Sequence, residues 1–369
     1  MENLLKSFQQ NKNLRNPNID LIRIAAMISI ILNHLVYHGG APNKYKYKEI
    51  YILTIPGMWH VGSFGAISGI VGTKTHKFSN LFYLWIVVMF YSIIIYINCK
   101  NLPNFKLNED MQSNFHPVTS VKYWYFTAYF AIYPFLPFVN AGISLLTRIQ
   151  VKKIIYFMIG IFSIWSLAYG DCFYQNRGHS PISLYIFYIL GAYIGKYIFF
   201  EKLFVIHNII ICTLCIIVHI VTSIISFHIN ILNTYPNMSR KMKNILSVDI
   251  NALPAILQIF TITIFISRIK INGYISKIIT FIGPLTFDIY LIHENRYIRY
   301  SFIRNIFKNS KDNLNLASVF LLIFQKAFCV FTICIILAYI RSLIFKTLRI
   351  KKISIYFEII ATKILQFLL

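Results

Sequence analysis

The chain has 369 residues, of which 57% are hydrophobic and only 13% charged, with a formal net charge of +24. A soluble domain carries about 25% charged residues, and repeated apolar runs of membrane-spanning length exclude both a soluble fold and an alternating β-barrel. The 36 basic residues, against 12 acidic, fall mostly between apolar runs. There they anchor helix ends at anionic headgroups, and no basic domain or stacking platform points to nucleic acid.

The fold class that follows is all-α, a polytopic integral membrane helical bundle of about ten transmembrane helices. The expected spans are roughly 19–38, 51–72, 78–98, 122–146, 152–171, 180–200, 204–228, 249–268, 274–294 and 316–346. Residues 1–18 read as a cytoplasmic N-terminal segment, 19–346 as the transmembrane domain and 347–369 as a basic, amphipathic tail lying on the inner surface. Short loops dense in Lys and Arg favour a cytoplasmic N-terminus and C-terminus.

The first span carries costly groups. Asp20 and Arg23 stand near its start and His34 near its far end. Arg and His inside a span usually face a protein interior or a wet cavity. Eleven positions separate Arg23 from His34, so the two share a helix face about 16 Å apart along the axis. Asp20 and Arg23 are spaced to pair. The reference pKa of histidine, about 6.5, suits His34 to proton transfer near neutral pH. A packing histidine bonded to a carbonyl is the competing reading.

The second span holds Gly57, Gly62, Gly65, Gly69 and Gly72, which let helices approach closely or break, so an irregular segment lining a cavity is expected. Lys74, His76 and Lys77 follow in a short turn. They suit either a donor phosphate or plain anchoring at the inner surface. Pro134 and Pro137 should kink the fourth span and Pro284 the ninth. The ninth span also crowds Asp288, Tyr290, His293 and Glu294 toward its distal end, on the same side as His34. Asp288, Glu294 or neither could be the carboxylate that holds the His34 imidazole.

The six cysteines sit mostly inside apolar runs and offer no disulfide framework. Cys212, Cys215 and His219 share a helix face, but a metal there would need ligands from another helix. No metal site is expected.

Several segments, in order, are similar to the acyltransferase-3 family of integral membrane acyltransferases, in its bacterial surface-polysaccharide branch. NIDLIRIAAMISIILNHLVYHGG resembles the family's opening, with Arg23 and His34 on its arginine and histidine. The Ser68-Gly69-Ile70 turn stands where an aromatic usually follows the glycine, and Lys74 and Lys77 stand where the family has two arginines. Tyr123, Trp124, Tyr129, Pro137 and Phe138 match the segment beginning Tyr-Trp. ISLYIFYILGAYIG and GPLTFDIYLIHENRYIR resemble two later segments.

The resemblance implies acyl transfer from cytosolic acetyl-CoA, with no bound cofactor, to a hydroxyl of a surface polysaccharide or lipid-linked glycan at the bacterial cytoplasmic membrane. His34 would be general base or acyl carrier and Arg23 would orient donor or substrate oxygens. Lys74 and Lys77 would hold CoA phosphates, and Trp124, Tyr290 and His293 would line the site. The alternative is a transporter of glycan intermediates or small acids, since intramembrane Arg, His and Asp also serve proton coupling. Oligomeric state is not set by the sequence.

Overall fold

The structure is a computed structural model, and it describes residues 15–72, 77–100, 111–171, 173–201 and 203–368. Among these residues eight helical segments are long and apolar enough to cross a membrane, and no strand occurs. The chain is therefore a multi-pass, all-α bundle.

We label the elements that position the site α1 (Pro17–Tyr37), α2 (His60–Gly72), α3 (Phe78–Cys99), α4 (Trp124–Ile132), α5 (Leu136–Leu145), α6 (Arg148–Met158), α7 (Pro181–Tyr197), α8 (Val205–Phe227), α9 (Leu253–Ser267), α10 (Gly273–Ile282), α11 (Thr286–His293), α12 (Leu316–Thr347) and α13 (Ile350–Leu368). Two of the ten expected spans differ from expectation. Helix α7 has 17 residues and α9 has 15, about 26 and 22 Å long and thus short of a hydrocarbon core near 30 Å. Both are largely buried among other helices. Their continuous hydrophobicity reflects a protein interior as much as lipid.

Helix α1 lies at the centre, packed against α2, α9, α10, α11 and α12. Asn16 caps its start by accepting the Asn18 backbone N–H at 2.9 Å, and Pro17 occupies its first turn. The Asn18 side chain donates to the Ile266 and Ile269 carbonyls at 2.6 and 2.8 Å, tying α1 to the end of α9. In contrast, α8 turns Ile206, Ile209, Ile210, Leu214, Ile217 and Ile220 outward, as a lipid-facing helix does.

The expected irregular segments are present. Two 3₁₀ turns, Lys48–Leu53 and Ile55–Gly57, precede α2. The glycines of α2 then meet α7 at close range. A Cβ at Gly69 would stand 2.0 Å from the Tyr188 carbonyl oxygen, and one at Gly191 would stand 1.9 Å from that of Ala66. Only residues without a Cβ permit this backbone approach. Pro134 and Pro284 sit in 3₁₀ turns, Tyr133–Phe135 between α4 and α5 and Gly283–Leu285 between α10 and α11. Proline lacks the N–H that would continue the α-helical ladder.

Candidate active site

One face of α1 carries Arg23, Met27, Ile30 and His34 at helical spacing. Met27, Ile30 and His34 line a narrow cavity of about 50 Å³ together with Val61 and Phe64 of α2, Trp124 and Tyr125 of α4, Phe287 and Tyr290 of α11, and Glu294. The cavity has room for a few waters. Its walls are chiefly apolar and aromatic, with His34 and Glu294 as the titratable pair.

Glu294 follows the last residue of α11. Its backbone N–H bonds the Tyr290 carbonyl at 3.1 Å. The next residue, Asn295, is buried and donates to the Tyr123 hydroxyl at 2.6 Å, and that hydroxyl donates to the Leu291 carbonyl at 3.0 Å. The turn after α11 is thereby fastened to the start of α4. Arg299 donates to Glu294 Oε1 at 2.6 Å. Glu294 Oε2 points the other way, 3.1 Å from His34 Nδ1. That approach is short but not aligned as a hydrogen bond, and Oε2 is buried without one among the described residues.

The proton positions on the two histidines follow from their partners. His293 Nδ1 lies 2.6 Å from the Ile289 carbonyl oxygen, which only accepts, so neutral His293 carries its proton on Nδ1 and a lone pair on Nε2. That lone pair is 3.1 Å from His34 Nδ1. His34 Nδ1 is therefore the donor, and the free lone pair of His34 is on Nε2. Glu294 Oε2 stands beside the same Nδ1.

The other residues singled out in the sequence are distributed as follows. Trp124 and Tyr290 line the cavity, while His293 stands behind His34 and touches it. Asp288 does not reach His34. It is buried in a two-pronged pair with Arg341 of α12, at 2.7 Å from Nε and 2.6 Å from Nη2, and Arg341 also donates to the Tyr83 hydroxyl at 3.0 Å. Arg23 lies below the cavity and pairs with buried Asp20 at 2.6 Å, which also accepts from Arg15 at 2.5 Å. Lys77 is exposed, and its carbonyl accepts the Tyr133 hydroxyl at 2.8 Å. Lys74 and His76 lie outside the described residues. His219 Nε2 meets the Pro56 carbonyl at 2.9 Å, and Cys212 and Cys215 are free thiols.

Sequence reasoning passed over Arg299, Arg341, Tyr125 and Phe64. Arg341 had a usable signal, a charge near the end of a 32-residue apolar helix. Arg299 and the two aromatics had none, because tertiary contact alone brings them to the site.

The site is an apolar cavity inside a bundle of membrane-spanning helices, with a histidine and a carboxylate on its wall. The family described as an acyltransferase domain matches residues 16–344, and the chain belongs to that acyltransferase-3 family of membrane acyltransferases. No curated protein and no solved structure matches the chain. As a membrane acyltransferase it works on an acyl donor and an acceptor.

Proposed function

We propose that the protein moves an acetyl group from acetyl-CoA to a hydroxyl of a surface polysaccharide or lipid-linked glycan. The reading places the N-terminus in the cytoplasm of a bacterial cell and the chain in the cytoplasmic membrane. The observation that carries it is His34: an imidazole on the cavity wall whose Nδ1 is held by His293 beside Glu294, leaving Nε2 as a base.

In the reaction, His34 Nε2 takes the acceptor hydroxyl proton as the oxygen attacks the thioester carbonyl. The C–S bond breaks, and the thiolate leaves with a proton returned by the imidazolium. Glu294 stabilises the charged ring, and His293 fixes its orientation. Arg23, on the same helix face about three turns away, orients donor oxygens. Lys74 and Lys77 hold the CoA phosphates as point charges. Trp124 and Tyr290 offer aromatic faces to the reacting groups.

The test uses purified protein with radiolabelled acetyl-CoA and glycan. Label transfer that depends on His34 supports the reading. Glycan flux without label transfer supports a carrier instead.

A further inference from the structure

The cavity side of His34 is accounted for by the proposed chemistry, but a second histidine near it is not. His38 follows His34 by one helical turn, with ring centroids 5.0 Å apart, and is exposed just beyond the end of α1. It does not line the cavity. One donor atom each from His34, His38 and Glu294 lies within 4.8 Å of the other two.

We propose that His34, His38 and Glu294 bind a divalent transition-metal ion, with Zn²⁺ the best fit, and that the bound ion shuts off His34. Two imidazoles and one carboxylate make a donor set that Zn²⁺ takes in three-ligand sites, leaving a fourth position open. Mg²⁺ and Ca²⁺ want oxygen cages and find one carboxylate here. Histidines at i and i+4 on one helix face are spaced to chelate.

Glu294 is prepared for the role. Arg299 holds Oε1 at 2.6 Å, while Oε2 is buried with no hydrogen bond among the described residues. The Arg299 charge works against a dication, but it also fixes the carboxylate, as outer groups do around metal sites. Ligand atoms of a tetrahedral zinc stand roughly 3.3–3.5 Å apart for bonds near 2.0–2.1 Å. His34 Nδ1 and Glu294 Oε2 already stand 3.1 Å apart, so the remaining adjustment falls to the exposed His38 ring.

Blocking follows from the imidazole itself. If the ion takes His34 Nε2, the lone pair that accepts the hydroxyl proton is gone. If it takes Nδ1, the proton of the neutral ring must move to Nε2, and the base is lost there too.

The blocking half rests on the proposed function; the binding half does not. The experiment therefore reads both, on full-length protein in detergent after chelator treatment. Co²⁺ is titrated as a spectroscopic probe of wild type and His38→Ala, followed by Zn²⁺ competition and Zn²⁺ calorimetry. Acyl transfer is then measured across a Zn²⁺ series. The expected result is one equivalent of metal in wild type that His38→Ala weakens by at least about tenfold, with no competition from Mg²⁺ or Ca²⁺. Metal-free activity should be equal in the two proteins, and the Zn²⁺ inhibition midpoint should move at least as far as the affinity. Comparison with His38→Ala separates this site from thiol binding at Cys212 and Cys215. Equal Co²⁺ binding by the two proteins overturns the site. Binding that leaves the wild-type rate unchanged, or that the rate requires, overturns the block. Binding lost in His38→Ala with no acyl transfer under any condition upholds the site and overturns the proposed function.

Discussion

His34 Nδ1 and Glu294 Oε2 stand 3.1 Å apart, although one belongs to α1 and the other to the turn after α11. Arg299 pins the far oxygen of the same carboxylate. Under the proposed function, His34 makes the proton transfer and Glu294 supports it.

His34→Ala should lower acyl transfer by about 10²–10⁴-fold, the usual scale for a positioned general base. The amount of protein in the membrane should stay near wild type, because His34 is only partly buried. Glycan acetylation and membrane protein level measured in one strain check this, and full acetylation in the variant would refute the role.

Glu294→Gln keeps the size of the side chain and removes the charge beside Nδ1. A fall of about 10²-fold or more in kcat is expected, with a smaller change in KM, since the charge acts on the imidazolium of the transition state. Arg299→Lys tests the same carboxylate through its other oxygen. Lysine cannot reproduce the planar guanidinium geometry, so a milder loss in kcat is expected.

Asp288→Ala or Arg341→Ala should each destabilise the protein by about 3–5 kcal/mol, because either change strands a buried charge. Replacing both with apolar residues of similar size should recover most of the loss. Thermal unfolding in detergent, compared across the two single variants and the double, measures the coupling. Additive losses would show that the pair is not acting as a unit.

The tail offers a pH test. Glu358 of α13 accepts the Phe78 backbone N–H at 2.9 Å, at the start of α3, and Phe357 stacks on Phe82 with centroids 4.1 Å apart. The Ser79 side-chain hydrogen bond, followed by backbone contacts from the same turn, holds the Glu358 carboxyl below its usual range. A depressed carboxylate contributes docking that is fully present above its unfolded pKa, about 4.3, and is lost as pH falls through the lower folded value. A fluorophore on α13 should report release of the helix in acid. Glu358→Gln should remove that pH dependence.

Much of this was readable from residue pattern. The Arg23 and His34 face, the Asp20–Arg23 pair, the broken glycine-rich segment and the proline interruptions follow from spacing within single helices. The choice between Asp288 and Glu294 as the neighbour of His34 did not. It depends on Arg341, which takes Asp288 from another helix. Nor could hydrophobicity tell the short interior helices α7 and α9 from lipid-crossing ones, since both environments select the same side chains.

The seam between α2 and α7 has a mechanical consequence. With Gly69 and Gly191 each pressed on the opposite backbone, these two helices have no slack to slide, so the α2 wall of the cavity is rigid. The opposite wall is made by α4 and α11, each joined to its neighbour by a proline turn, Tyr133–Phe135 or Gly283–Leu285. A cavity of about 50 Å³ holds no more than a few waters, so anything larger needs one of these walls to move.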